Sequence, residues 1–132
     1  MGGGHTANEK DLKLTKKEEN LSVALLHRVA TYILVLQIDT VLQHKFQDRF
    51  NHKDSNIRSA SWIARLIRNA FSHNPFYPQW EFYSECMNKQ YGVGEIISLN
   101  TSGLNGKPVD RMHYGGPLAL LQLSEYVRGL LK

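Results

Sequence analysis

An arginine and a histidine five residues apart, Arg68 and His73, are the side chains of this sequence best suited to chemistry on a phosphate. A guanidinium stays charged and can bind two phosphate oxygens, and an imidazole exchanges its proton near neutral pH. RNA supplies its own nucleophile, the 2′-hydroxyl, so its cleavage needs a base for that proton and a cation for the phosphate. The pair therefore has the residue types of a ribonuclease site that requires no metal.

Polar neighbours of Arg68 extend this interpretation. Asn69 follows the arginine, and its amide can hydrogen-bond a phosphate or orient the histidine. Arg58 and Arg65 precede Arg68 at helical spacing, which places the three arginines on one helix face. We therefore predict that Arg58 and Arg65 form an electrostatic track for an RNA backbone.

A single carboxylate, Asp39, lies among apolar residues of an earlier helical segment. Burying it without a partner would be costly, so we expect it to meet Arg28, Arg68 or His73. In the last case Asp39 would support catalysis by orienting the imidazole. A structural ion pair or a solvent-facing position is the simpler alternative.

The segment Arg68-Asn69-Ala70-Phe71-Ser72-His73 resembles the Arg-x4-6-His motif of the HEPN superfamily, many of whose members are metal-independent endoribonucleases. The resemblance covers these six residues directly, and Pro75 to Lys132 is not matched to a subfamily. It implies a homodimer in which Arg68 and His73 of two subunits meet across a basic cleft and cleave RNA. His73 would be the acid/base and Arg68 would bind phosphate. The resemblance also implies a toxin-antitoxin or phage-defence setting, with an antitoxin protein as a further partner.

Non-catalytic interpretations of the same motif stay open. A histidine in the last turn of a helix interacts favourably with the helix carbonyls, and Arg68 can pair with a carboxylate such as Glu81 or Asp39. The chain would then be a helical adaptor that binds a protein partner, or a domain that binds RNA or a nucleotide without turnover.

Two helices must position these residues. The first is predicted from an N-cap at Asn20 to Phe50, a stretch without glycine or proline. Its apolar residues fall on opposite sides, so both sides need cover, and we expect a central bundle helix that also contributes to a dimer interface. The second helix is predicted to begin near Asp54 or Ser55 and to end at Asn74, before a proline.

The remaining chain predicts a small β-hairpin and a last helix. We place the hairpin between about Val93 and Met112, with its turn at Asn105-Gly106, a dipeptide that tolerates positive φ. Pro117 suits the first position of a helix that continues to the C-terminus. The predicted fold class is mainly α, a HEPN-like helical bundle with a small β-hairpin before the C-terminal helix.

Length and composition fit one globular domain. The chain has 132 residues, of which 42% are hydrophobic and 21% charged. We expect a flexible leader at residues 1–19 and a single helical domain at 20–132. The net charge of +4 permits an anionic partner such as RNA. The single cysteine, Cys86, excludes an internal disulfide and a cysteine-rich zinc module, and fits the cytoplasm.

Neither a membrane partner nor a cofactor is predicted. The most apolar stretch, Leu21 to Leu42, is interrupted by charged residues and is interpreted as a helix of a soluble protein. The first twenty residues lack the apolar core of a secretory signal. His44 and His52 have no cysteine or aspartate partner at ligand spacing, so we expect no metal.

Overall fold

The structure, a computed structural model, describes residues 15–132. Within this range the fold consists of three α-helices, α1 (Lys16–Lys45), α2 (Ser55–His73) and α3 (Pro117–Gly129), and a two-stranded antiparallel hairpin. Strands β1 (Gln90–Val93) and β2 (Ile97–Asn100) lie between α2 and α3 in the chain. The predicted fold class, a mainly α bundle with a small hairpin before the last helix, is confirmed.

The predicted boundaries of α1 are wrong by several residues at each end. The helix begins at Lys16 because the Thr15 side chain accepts a hydrogen bond from the Glu18 amide, at 3.1 Å, and caps it. It ends at Lys45 because Phe46 is extended, with φ −128° and ψ 118°. Residues 16–19 of the predicted leader are therefore helical, and residues 1–14 of that leader lie outside the described range.

The hairpin is shorter than predicted and turns elsewhere. Its turn is at residues 94–96, where Gly94 has a φ of 51°, rather than at Asn105-Gly106. Asn105 instead accepts a hydrogen bond from the Phe82 amide at 2.9 Å, and the Gly106 amide donates to the Trp80 carbonyl at 2.7 Å. The dipeptide thus fixes the segment after α2, with Gly106 at φ 84°.

α2 is the central element of the core. It packs against α1 on one side and β1 on another, and most of its circumference is buried. Its start, capped by Asp54, and its end near Asn74 are as predicted. Ser61 is fully buried, and its hydroxyl donates to the Ile57 carbonyl at 2.7 Å. The buried surface of α2 therefore includes a polar side chain.

The two halves of α1 differ in burial. Its buried residues, Val35, Ile38, Asp39 and Leu42, all lie in the C-terminal half. The other half exposes large apolar side chains, with Leu26 70% and Ile33 52% exposed. By length and composition alone α1 could also cross a membrane, a criterion that core helices of soluble proteins meet too. The expectation that a second subunit covers this face stays a prediction.

Candidate functional site

His73 is the last residue of α2 and forms an ion-pair contact with a carboxylate. α2 ends there because Asn74 is extended, the conformation favoured before a proline. Nε2 of His73 lies 3.1 Å from Oε2 of Glu81, and the two side chains are 74% and 63% exposed. A carboxylate at this distance can orient an imidazole ring. The sequence analysis considered Glu81 only as a partner of Arg68 and missed this pair.

An open groove surrounds the His73–Glu81 pair. Asn69 lies one turn before His73, and its side-chain amide donates to the Tyr83 hydroxyl at 2.9 Å. The groove has a volume of about 370 Å³ and is lined by Asn69, Ser72, His73, Glu81, Phe82 and Tyr83. It combines a group that can exchange a proton with amide and hydroxyl groups that can hydrogen-bond a sugar or a phosphate.

Arg68 lies on another side of α2. Its Nη1 donates to Oδ2 of Asp39 at 3.2 Å, and its side chain is 40% exposed. Five residues of α-helix separate Arg68 from His73 by about 140° around the axis. Neither of the two grooves that His73 lines includes Arg68. One copy of the chain therefore does not present the two residues to the same phosphate.

Asp39 is the centre of a buried ion-pair cluster. Asp39 is 2% exposed, and its carboxylate contacts three guanidiniums. Arg49 Nη1 lies 2.7 Å from Oδ1, while Arg65 Nε and Arg68 Nη1 lie 3.6 Å and 3.2 Å from Oδ2. One negative charge faces three positive charges, so the cluster keeps an excess of positive charge. Its exposed part is Arg68.

The prediction that Asp39 meets Arg28, Arg68 or His73 is confirmed for one of the three. Asp39 meets Arg68, as expected, whereas the Arg28 guanidinium donates to the Phe76 carbonyl. His73 contacts Glu81 rather than Asp39 within one copy, so the contacts of Asp39 match the alternative of a structural ion pair. Asp39 and the end of α2 are far apart in the chain, so the sequence did not indicate which carboxylate would contact His73.

Arg49 is the functional neighbour that sequence analysis overlooked. It lies in the 3₁₀ turn Arg49–Asn51 just after α1, is 3% exposed, and its Nη1 also donates to the Asp39 carbonyl at 2.9 Å. Its guanidinium stacks 4.6 Å above the Phe50 ring. A buried carboxylate requires a cation as its partner. Arg49 lies in the turn directly after the helix that carries Asp39, and this position could have indicated it.

The three arginines of α2 do not act as one exposed track. Arg65 and Arg68 converge on Asp39. Arg58 instead donates to the carbonyl oxygen of His52 at 2.6 Å, in the turn before α2. The assignment of Arg58 and Arg65 to RNA binding stays a prediction, with Arg65 only partly accessible.

Comparison of the chain with protein-family models, with curated proteins and with solved structures finds no match. The resemblance to the HEPN superfamily therefore depends on residues 68–73 alone.

Proposed function

We propose that the chain is a metal-independent endoribonuclease with His73 as its general acid/base. The observation that supports this best is the 3.1 Å contact between Nε2 of His73 and Glu81 in a groove open to solvent. With Nε2 directed at the carboxylate, Nδ1 is the nitrogen available to a substrate. Glu81 is a positioning residue that orients the ring through this contact.

The proposed reaction is transphosphorylation of RNA. Nδ1 of His73 takes the proton of a 2′-hydroxyl, and the 2′-oxygen attacks the adjacent phosphorus while the bond to the 5′-oxygen breaks. His73, now an imidazolium, gives this proton to the leaving 5′-oxygen, which yields a 2′,3′-cyclic phosphate and a 5′-hydroxyl and restores the neutral imidazole. Asn69, in the same groove, can donate its amide to a phosphate oxygen.

Arg68 of a second copy supplies the cation that binds the phosphate. The Asp39 carboxylate is shared with Arg49 and Arg65, so it does not neutralise Arg68 completely. The guanidinium is held in place through Nη1 and stays 40% exposed, which leaves nitrogens for two phosphate oxygens. Because Arg68 and His73 of one copy point to different sides of α2, the complete site requires two subunits.

The exposed face of α1 supports a homodimer. Val23, Leu26, Ala30 and Ile33 follow one another at alternating spacings of three and four residues, the pattern of a coiled-coil seam. All four are exposed, Leu26 most of all at 70%. A second copy of α1 would cover this seam. The toxin-antitoxin or phage-defence setting, a cytoplasmic location and an antitoxin partner are proposals that depend on the resemblance alone.

RNA cleavage in the presence of EDTA tests the proposal. A labelled mixed-sequence RNA is incubated with the wild type, with His73→Gln and with Glu81→Gln. His44→Gln is the matched control, because His44 is an exposed histidine in the last turn of α1. We expect 2′,3′-cyclic phosphate ends from the wild type and the control, and a loss of about 100-fold or more in His73→Gln. Intact RNA with the wild type, or full activity in His73→Gln, would overturn the proposal.

A non-catalytic domain that binds RNA or a protein partner is the second candidate. It is favoured by the finding that Arg68 and His73 contact different carboxylates, because such pairs also occur as structural contacts without any catalysis. RNA binding that weakens with salt while the RNA stays intact would identify the binder. If replacing Arg68 or His73 changes the stability of the chain but no activity, the chain is the adaptor.

A further inference from the structure

A cavity outside the proposed nuclease site lies against the first half of α1. It has a volume of about 540 Å³ and lies between the first half of α1 and residues 107–114. This volume is within the range of about 300–1,000 Å³ that small-molecule sites occupy. Its polar lining residues are His27, Arg28, Thr31, Lys107, Asp110, Arg111, His113 and Tyr114.

The charges around the cavity are mostly positive. Arg28, Lys107 and Arg111 contribute three cations, and Asp110 is the one carboxylate among the lining residues. Oδ1 of Asp110 accepts a hydrogen bond from the Met112 amide at 2.9 Å, so this carboxylate is already bound as the cap of a 3₁₀ turn. The cavity therefore favours an anion with more than one negative charge.

His113 provides a fixed hydrogen-bond donor. Its Nδ1 accepts hydrogen bonds from the Trp80 indole at 2.8 Å and from the Asp110 amide at 3.1 Å. A ring nitrogen that accepts hydrogen bonds carries no proton, so the hydrogen of the neutral imidazole is on Nε2. Trp80 is fully buried, which fixes the ring that it contacts. His113 can then donate from Nε2 to an oxyanion without changing its charge.

Arg28 is fixed in position before any ligand binds. Its guanidinium donates to the Phe76 carbonyl and lies 5.5 Å from the centre of the Tyr77 ring. The remaining nitrogens are available to a ligand, and a cation that is held in place loses less entropy on binding. Apolar residues complete the lining, among them Phe71, Pro78 and Val109.

We propose that this cavity binds the phosphate monoester of a small molecule, with its phosphate between Arg28, Lys107 and Arg111. A monoester carries up to two negative charges and three terminal oxygens, which matches the cations and the Nε2 donor of His113. The volume exceeds that of a phosphate group, so the esterified part lies against the apolar side of the cavity. The proposal is independent of RNA cleavage, because none of these cations lines the His73 grooves.

Calorimetry with three probes tests the proposal. Ribose 5-phosphate, inorganic phosphate and ribose are titrated into the wild type, Lys107→Ala, Arg111→Ala and the control Arg128→Ala. Lys107 and Arg111 are exposed, so their replacement should leave the fold intact, and Arg128 is an exposed arginine of α3 outside the cavity. We expect ribose 5-phosphate to bind more tightly than inorganic phosphate, ribose not to bind, and each cavity variant to bind about tenfold more weakly.

Three results would overturn the proposal. The first is the absence of heat with ribose 5-phosphate at millimolar concentration. The second is equal affinity for inorganic phosphate, which would mean that only a free anion is recognised. The third is binding that Arg111→Ala leaves unchanged but Arg128→Ala weakens. RNA cleavage by the Arg111→Ala protein is expected at the wild-type rate, so failure here and failure of the nuclease proposal are distinguishable.

Discussion

Arg68 Nη1 lies 3.2 Å from Oδ2 of Asp39, so a buried carboxylate of α1 holds the arginine of the Arg-x4-His segment. Arg49 and Arg65 contact the same carboxylate. This cluster joins α2 to α1 and to the turn between them. Arg68 stays 40% exposed in this cluster, so it has both a structural role and a surface that a phosphate can reach.

Replacing Asp39 tests whether this cluster stabilises the fold. In Asp39→Asn three guanidiniums would face one another without a carboxylate, so we expect the free energy of unfolding to fall by about 3–5 kcal/mol. Urea denaturation followed by circular dichroism measures the change. Glu95→Gln, in the exposed hairpin turn, is the control. A decrease of less than about 1 kcal/mol would show that the cluster contributes little.

The arginines of the cluster should differ in their effect on stability. Arg49 is 3% exposed and Arg68 is 40% exposed, so water can replace the lost contacts of Arg68 more easily. We expect Arg49→Gln to lower the free energy of unfolding by about 2 kcal/mol more than Arg68→Gln does. The same urea experiment compares the two. The opposite order would contradict the burial-based argument.

Tyr114 should make stability depend on pH in the alkaline range. Tyr114 is 1% exposed, and burial raises the pKa of its hydroxyl to about 12. In the unfolded chain the pKa is about 10, so between these values the unfolded state loses the proton first and unfolding becomes more favourable. The contribution is complete below pH 10 and is lost as the pH rises towards 12.

The variant Tyr114→Phe isolates this effect. Between pH 9 and pH 12 its free energy of unfolding should fall by about 2–3 kcal/mol less than that of the wild type, since each pKa unit corresponds to about 1.4 kcal/mol. Tyr77→Phe is the control, because Tyr77 is 60% exposed. Parallel pH profiles for wild type and Tyr114→Phe would contradict the prediction.

A charge in the exposed seam of α1 should separate the proposed dimer. Leu26→Glu places a carboxylate on the most exposed apolar residue of α1 and should give a monomer by analytical ultracentrifugation. Leu118→Glu is the control, since Leu118 is 63% exposed on α3. We expect Leu26→Glu to lose RNA cleavage with its dimer. A wild type that is already monomeric, or a dimer that only Leu118→Glu disrupts, would contradict the proposal that this seam forms the dimer interface.

Local sequence signals predicted the two ends of α2 and the start of α3. Asp54 caps α2 through the Asn56 amide at 2.9 Å, a proline follows Asn74, and Pro117 opens α3. Each of these effects acts within one helical turn. The apolar residues of α2 also recur at helical spacing along its buried side, which identified it as a helix.

Longer-range contacts were beyond such signals. Asn105-Gly106 has the residues of a hairpin turn, yet tertiary hydrogen bonds to the segment after α2 determine its place. The pairing of His73 with Glu81 depends on how residues 74–81 turn back at the end of α2. No periodicity encodes that path. The same holds for the cavity, because its walls come from α1 and from residues 107–114.

Subunit complementation is the most direct test that Arg68 and His73 of different copies form a ribonuclease site. Arg68→Gln and His73→Gln are mixed, denatured and refolded together, and cleavage of labelled RNA is measured in EDTA. Half of the dimers would be mixed, each with one intact site, so we predict about a quarter of wild-type activity while each variant alone stays inactive. A mixture no more active than its components, beside an active wild type, would contradict the shared site.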